Sequence, residues 1–498
     1  MLDATLNALL GVLLDPTAIG LCVLGVVIGT ILGALPGISS TMALAVLLPF
    51  SFAMDLDHSM VFLLAVFSSS VYGGSVAAIL INIPGTPGAI ITQMDGYPMG
   101  RAGRGGEALT YALVASTLGG LLGWILLVIL APMVASAALA FQSPEYAAIT
   151  VFGLSMLAYA SPGSTFLALV SGLIGVLLAT VGFDSTTDVA RFTFDSSALQ
   201  AGLGIIPAAV GIFGVAEVLK SLEAGGERIE PVRHIGRMMP PWREARRLWP
   251  IGIRGSVIGA FVGAIPAAGS AIAVTVSYAL EKRISRTPEK FGTGCPEGVV
   301  APESANNASV GGALIPMITL GIPGDSMTAV LIGALLIHGL RPGPTMFTDH
   351  LDFVAIVYVA LMLAIVVTLV VGLLGNRFFA RILTAPRTIL LSGVMLLCVV
   401  GSYAVRNSWI DVAVMTGFGA LGYLMNRIGM PTAPVIFGLV LGPLLEENVR
   451  RSMIIYNDWT VFFTRPISLV VIVISAFALI VPLVQDARRK HPAPDATS

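Results

Sequence analysis

Hydrophobic positions run through this chain in long uncharged windows. Residues 16–54, 59–94, 108–144, 146–183, 255–280, 353–376, 388–405 and 466–485 contain no Asp, Glu, Lys or Arg. Each window reaches or exceeds the ~18 apolar residues of a membrane-crossing helix. Some are twice that length and must hold two spans or one broken span. The length rule predicts an all-α polytopic membrane protein with roughly 11 to 13 membrane segments.

Pro and Gly interrupt these windows at related places. Between residues 25 and 46, ten of twenty-two positions equal those 230 residues later. Both copies are Gly-rich and stop at a proline, Pro36 and Pro266. A second pair sets Gly73-Gly74 and Ile83-Pro84-Gly85 against Gly311-Gly312 and Ile322-Pro323-Gly324, with one inserted residue. In a third, five of eight positions from Pro207 to Gly214 recur from Pro431 to Gly438. Three matches in one order at nearly constant offset point to an internal duplication. The predicted organisation is a first transmembrane repeat over 1–220, a basic linker over 221–254, a second repeat over 255–450, and a final helix with a tail over 451–498.

Charge sets the orientation. Arg228, Arg233, Arg237, Arg243, Arg246, Arg247 and Arg254 crowd the linker, and Arg488, Arg489 and Lys490 the tail, so both are expected on the cytoplasmic side. The first fifteen residues hold Asp3 and Asp15 but no Lys or Arg, which favours an outside N-terminus; they lack the basic segment of a signal peptide. With the linker inside, each half holds an odd number of spans and the second repeat is inverted. Arg450 and Arg451 sit poorly with that topology. Residues 240–249, with Trp242 and Trp249 among three Arg, predict a short interfacial helix.

Composition agrees with a membrane class. The chain is 56% hydrophobic and 11% charged, and its mean hydropathy is +0.91; a soluble domain carries about 25% charged residues. A net charge of −1 offers no field for nucleic acid. Three cysteines, Cys22, Cys295 and Cys398, suggest neither a disulfide framework nor a metal cluster.

The breaks carry the candidate chemistry. Proline inside the bilayer frees backbone groups that lipid cannot satisfy, so it survives where it lines protein or a polar cavity. Paired breaks in two halves of a chain mark a transporter's substrate site. At the first break, Pro36 ends one helix, Gly37 permits unusual angles, and Ser39, Ser40 and Thr41 are good caps for the next. A helix N-terminus presents free N–H groups and a positive dipole end, an anion site that needs no basic side chain. Its counterpart runs from Pro266 to Ser270. The second break holds Asn82, Gly85 and Thr86, with Gly324, Asp325 and Ser326 opposite. Thr86 and Ser326 can donate to a carboxylate, whereas Asp325 accepts and is a candidate for a coupling Na⁺ or H⁺. Asn306 and Asn307, adjacent amides in an apolar setting, are costly to bury unless bonded. They can donate to a carboxylate, and Asn306 can also coordinate Na⁺. Plain proline kinks, helix caps and polar glue between helices are the bland alternatives.

Other polar residues read as surface features. Asp184, Asp188, Arg191 and Asp195 are expected in a solvated loop, Arg101 and Arg104 in a short basic loop, and Glu303 as a cap or an Arg partner. The chain has no Gly-x-x-x-x-Gly-Lys loop for ATP and no His-Glu-x-x-His. No His or Lys lies near the break serines in sequence to activate them. An enzyme is therefore not expected.

Four strings together carry a likeness: Gly-Ala-Leu-Pro-Gly at 33–37, Asn-Ile-Pro-Gly-Thr-Pro at 82–87, Ala-Pro-Glu-Ser-Ala-Asn-Asn-Ala at 301–308 and Gly-Ile-Pro-Gly-Asp at 321–325. The chain resembles the TctA family, the large membrane subunit of tripartite tricarboxylate transporters, from about residue 15 to about residue 450. The resemblance implies a multi-pass protein of the bacterial inner membrane. It further implies secondary import of di- or tricarboxylates, or of aromatic acids in some members, driven by a Na⁺ or H⁺ gradient, with no other cofactor. The implied partners are a small membrane subunit and a periplasmic solute-binding protein. Pro266-Ala267 departs from the Pro-Gly of the first break, which weakens strict symmetry. An anion channel and a membrane scaffold are the rival readings.

Overall fold

The computed structural model describes residues 2–157, 164–184, 187–223, 232, 235–382 and 387–490. The chain runs almost wholly as helices: α1 (Leu2–Leu14), α2 (Pro16–Ala34), α3 (Ser40–Leu47), α4 (Leu56–Ile81), α5 (Ile90–Met99), α6 (Gly105–Ala138), α7 (Ser143–Ser155), α8 (Thr165–Leu178) and α9 (Ile205–Glu223) make the first half. The second half holds α10 (Trp242–Gly263), α11 (Gly269–Ile284), α12 (Glu297–Leu320), α13 (Ser326–Ile337), α14 (Leu351–Ile382), α15 (Arg387–Arg406), α16 (Trp409–Arg427), α17 (Ala433–Tyr456) and α18 (Pro466–Lys490). One two-stranded antiparallel ribbon pairs Gly182–Phe183 with Ala190–Arg191.

Among the described residues, seven helices are long and apolar enough to cross a membrane. That is fewer than the 11 to 13 segments expected from window length. The breaks divide windows into shorter apolar helices such as α3 and α13, and polar residues lower the apolar character of α12. Outer helices show apolar side chains outward, as Phe477 and Val470 of α18 do, which suits lipid as solvent. By contrast α4 is buried along its whole apolar window and α12 from Gly298 to Thr319. These two helices are the axis of the molecule.

Each axial helix is approached closely by a glycine-bearing helix. On α2, a Cβ at Gly29 would lie 2.8 Å from the Val66 carbonyl oxygen and one at Gly33 2.2 Å from that of Ser70. On α10, a Cβ at Gly259 would lie 2.1 Å from the Ala305 carbonyl oxygen and one at Gly263 2.6 Å from that of Ser309. The glycines are related by 230 residues and their carbonyl partners by 239. The reverse contacts obey the same offsets: Gly73 meets Thr30, and Gly312 meets Ala260. In this pattern of contacts the partner of Gly73 at offset 239 is Gly312 rather than Gly311, and the same offset already holds at Val66.

Three local expectations change. Residues 240–249 do not form a separate helix; from Trp242 on they are the first turns of α10, continuous to Gly263. Arg228 and Arg233 of the linker, and residues 491–498 of the tail, lie outside the described residues. Asp188 and Asp195 are exposed, as expected of a solvated loop, but the segment is anchored at Asp184 and Arg191. Asp184 is buried and meets Arg450 at 2.7 Å and Arg191 at 3.4 Å, while Arg191 grips Glu446 at 2.6 and 3.0 Å. Arg450, awkward for the expected topology, is thus paired with a buried carboxylate. The basic stretch at Arg101 and Arg104 is a π turn joining α5 to α6, and Arg104 reaches Glu107 at 2.7 Å and Glu244 of α10 at 3.6 Å.

Asp95 of α5 ties the two halves together. Its buried carboxylate accepts the amides of Gly292, Gly294 and Cys295, each at 2.9 Å, and the Tyr278 hydroxyl at 2.9 Å. Asp95→Ala leaves all four donors unpaired, at about 1–3 kcal/mol each before relaxation. We expect faster amide hydrogen exchange at Gly292, Gly294 and Cys295 in this variant. Unchanged protection there would show that the carboxylate does not hold the segment.

Candidate functional site

The first break closes α2 at Ala34 and reopens the chain as helix at Ser40, with Gly37 at φ 83° between them. Ser39 caps α3 by accepting the Met42 amide at 3.1 Å. The counterpart joins α10 to α11. Ala267 there adopts φ 58°, and Gly269 φ 66°. The left-handed turn survives although a Cβ replaces the glycine, at a cost of about 1–2 kcal/mol. Thus the Ala267 departure changes the side chain but not the sense of the turn. No side chain caps α11, so the amides of its first turn stay available.

The second breaks also match. Asn82 at φ 59° ends α4 and Gly321 at φ 71° ends α12, both as left-handed C-caps. The Gly85 and Gly324 that follow press against their axial helices: a Cβ would stand 2.8 Å from the Gly74 Cα and 2.5 Å from the Ala313 Cα. Thr86 then precedes the 3₁₀ turn Pro87–Ala89, and Asp325 caps α13. Asp325 Oδ1 accepts the Thr328 amide at 2.8 Å, and the Asp325 amide in turn donates to the Thr328 hydroxyl at 2.8 Å.

All four breaks border one cavity of about 90 Å³. Ser40 and Thr41 come from the first, Thr86 and Pro87 from the second, Ala267 to Ser270 from the third, and Asp325 and Ser326 from the fourth. Asn306 enters from α12, and Ala433 and Phe437 from α17 close an apolar side. Thr41 and Ser326 bridge the two halves through a hydroxyl–hydroxyl bond of 2.8 Å. Gly88 lies so near Asn306 that a Cβ would fall 2.0 Å from its Oδ1.

The hydrogen-bond inventory of this cavity is incomplete. Ser40 Oγ, Thr86 Oγ1 and both side-chain polar atoms of Asn306 are buried with no partner among the described residues. Buried polar groups are normally paired, and an unpaired one costs about 1–3 kcal/mol. Four such atoms around one space form an unpaired acceptor-and-donor set. The residues bordering it include no Lys, Arg or His. Positive potential there comes from helix N-termini.

Several expected residues do not face the cavity. Pro36, Gly37 and Ser39 shape the first break from behind. Asn82 is exposed and held by Gln93 at 2.8 and 3.0 Å. Gly85 and Gly324 serve close packing. Asn307 turns to Ser116, donating at 2.8 Å. Pro87 and Gly269 lie within the expected breaks without having been singled out as binding residues, and Val71, Ala271, Met327, Ala433 and Phe437 were not expected at the cavity. The third matched pair, which begins at Pro431, was the signal that could have found the last two. Among the described residues there is no group of three or more His, Cys, Asp or Glu able to hold a metal ion.

A family model described as "Tripartite tricarboxylate transporter TctA family" matches residues 19–437. An "Uncharacterized 52.8 kDa protein in TAR-I ttuC' 3'region" of Agrobacterium vitis is 37% identical over 499 residues, covering 99% of this chain and 98% of its own. An "Uncharacterized protein in TAR-II ttuC' 3'region" from the same organism is 36% identical over 239 residues, covering 47% of this chain and 97% of its own. No solved structure matches the chain significantly.

Proposed function

We infer, for a chain that belongs to the tripartite tricarboxylate transporter TctA family, that the cavity between the four breaks receives a carboxylate of the transported acid. The family is one of transporters and not of enzymes, and this multi-pass chain is its large component. That role implies a small membrane subunit and a periplasmic binding protein as partners. The bacterial inner membrane is the location proposed for it.

One observation carries the site assignment. The Asn306 amide and the Ser40 and Thr86 hydroxyls, without partners among the described residues, lie at a cavity that all four breaks border. A carboxylate offers acceptors for the Asn306 Nδ2, the two hydroxyls and the α11 amides at once. In this reading Ser40, Thr41, Thr86, Ser270, Asn306 and Ser326 bind the acid. Pro36, Gly37, Ser39, Gly85 and Gly324 set the backbone, and Asn82 and Asn307 stand outside. Asp325 is a like charge beside an incoming anion. Its place at the cavity supports a cation, Na⁺ or H⁺, travelling with the acid, and makes Asp325 and Asn306 candidates for that ion.

We read the two halves as structural repeats, inverted in the membrane, with movement of one relative to the other alternating access. The paired offsets of the glycine contacts and the paired left-handed turns support the repeats. The linker charge and the N-terminus support inversion.

The test is uptake by proteoliposomes holding the complete transporter with its binding protein. Radiolabelled citrate, succinate and benzoate serve as tricarboxylate, dicarboxylate and aromatic probes. Saturable uptake of at least one probe that stops when both Na⁺ and pH gradients are collapsed is the expected result. Non-saturating flux that persists without either gradient would favour a channel instead, and no flux of any probe a scaffold.

A further inference from the structure

Glu303 lies one turn before Asn306 on α12, about 4.5 Å along the axis. It is fully buried. The expected Arg partner is absent: none of the ion pairs among the described residues includes it. Three hydroxyls from three other helices surround it instead. Ser75 of α4 donates to Oε1 at 2.6 Å, Thr92 of α5 donates to the same oxygen, and Ser116 of α6 donates to Oε2 at 3.1 Å.

The charged groups of the neighbouring helices named below are engaged elsewhere, and the buried Tyr111 hydroxyl of α6 has no hydrogen-bond partner among the described residues. Tyr72 of α4 donates to Asn376. Asp95 of α5 is held by Tyr278 of α11 and by loop amides. Glu107 of α6 pairs with Arg104, Arg254 of α10 with Glu281 of α11, and Asp325 caps α13. A carboxyl stripped of water and given no cation is unstable as a permanent anion. Hydroxyls, unlike an Arg, can rotate to donate to a carboxylate or to accept from a carboxylic acid. The cage therefore fits both forms.

A metal cation suits it less well. Asn307 presents its Nδ2 to this cluster: that nitrogen donates to Ser116 Oγ at 2.8 Å and to the Glu303 carbonyl at 3.2 Å. Because both partners are oxygen acceptors here, the amide's ligating oxygen faces away.

Resting on the transport reading, we propose that Glu303, in its cage of Ser75, Thr92 and Ser116, is the proton-binding group that couples a proton gradient to the acid cavity. Two links join the cage to the cavity. Asn306 and Asn307 follow Glu303 by one turn, and Thr92 follows the Pro87–Ala89 turn whose Gly88 abuts Asn306. The Glu303 carboxylate takes one proton from the outer side and becomes a neutral acid. One hydroxyl then accepts from it instead of donating, which alters how α5 or α6 holds α12. Release of the same proton inside restores the carboxylate. Asp325 then remains a helix cap at the cavity.

The experiment has two parts. In the first, pH-titrated infrared difference spectra of the purified wild-type protein in lipid are compared with those of Glu303→Gln. A protonated-carboxyl band that titrates in the wild type and is missing from the variant is expected, with no substrate required. Ser116→Ala and Thr92→Val should move that titration upward by about one pH unit or more, since each removes a donor to the charged form. If Glu303→Gln fails to fold, the band and these two shifts decide by themselves. A carboxyl without a titrating band, or shifts of zero, would overturn the proposal.

In the second part, proteoliposomes of the complete transporter carry the citrate, succinate and benzoate probes. Glu303→Gln should keep exchange of internal for external probe yet lose accumulation driven by a pH gradient. Accumulation at the wild-type level in the variant, or wild-type accumulation driven by Na⁺ alone, would rule out Glu303 as the coupling group. Absence of all probe movement in the wild type would instead count against the transport reading, with the infrared titration still deciding whether Glu303 binds a proton.

Discussion

Asn306→Ala is expected to cut acid uptake by about 10- to 100-fold while leaving the folded protein as stable as before or more so. The functional loss follows from removing a donor to a charged carboxylate, worth about 1.5–3 kcal/mol. The stability effect has the opposite sign because neither side-chain polar atom of Asn306 has a partner among the described residues. Deleting an amide that is desolvated and unpaired removes a cost of about 1–3 kcal/mol, against a smaller loss of packing. A residue serving only as glue between helices would behave otherwise, losing stability first and uptake only as a consequence. The measurements are uptake per unit of membrane-inserted protein and the unfolding midpoint in detergent. Normal uptake, or lost uptake that tracks a fallen midpoint, would remove Asn306 from the site. Thr86→Val, which deletes a second unpartnered donor, should deepen the defect, and the two need not add because they border the same cavity.

Valine at Gly33 or Gly259 is expected to prevent stable assembly of the membrane domain. A Cβ at Gly33 would lie 2.2 Å from the Ser70 carbonyl oxygen, and at Gly259 2.1 Å from that of Ala305. Both obstructing atoms are backbone of a buried axial helix, so neither can rotate away. Overpacking a tight interior costs about 1–3 kcal/mol per site, and here α2 or α10 must leave its groove as a whole. Gly417→Val on α16 is the control, because nothing lies within 4 Å of its Cβ position. Monodisperse yield and unfolding midpoint should fall sharply for the first two variants and barely for the control. Equal behaviour of all three would mean that the glycines matter only for helix propensity. Parallel effects at Gly33 and Gly259 would also support equivalent roles in the two halves.

Much of the architecture is legible in the sequence. An uncharged window admits few structures other than a membrane helix, because backbone groups in lipid must bond within their own segment. For the same reason, proline inside such a window announces a break. Pro36, Pro84, Pro266 and Pro323 each stand at one. The span count was less legible. Window length cannot tell two complete helices from one helix and a half-helix, and polar residues buried within α12 disguise an interior helix as a less apolar one.

The candidate site was legible by element rather than by side chain. Ser40, Thr41, Thr86, Ser270, Asn306, Asp325 and Ser326 border the cavity as the breaks suggested. Asn82 does not, although it sits in a matched motif, because its left-handed φ caps α4 and turns its amide to Gln93. Asn306 and Asn307 are neighbours in sequence, yet about 100° of helical turn sends one to the cavity and the other to Ser116. Glu303 was read as a cap or an Arg partner because buried carboxylates are usually paired, and its hydroxyl partners come from residues 75, 92 and 116, far away along the chain.

The sequence alone determined the solvent of this protein, the places where its helices break, and the recurrence of similar Gly- and Pro-bearing strings at those places. Each depends on local covalent chemistry: apolar length, the missing N–H of proline, and the small size of glycine at fixed intervals. Only the tertiary structure decided which polar atoms stay unpartnered, which side of each break faces the cavity, and which carboxyl stands without a cation. Those outcomes depend on what other helices bring to within hydrogen-bonding distance, and no interval along the chain encodes that.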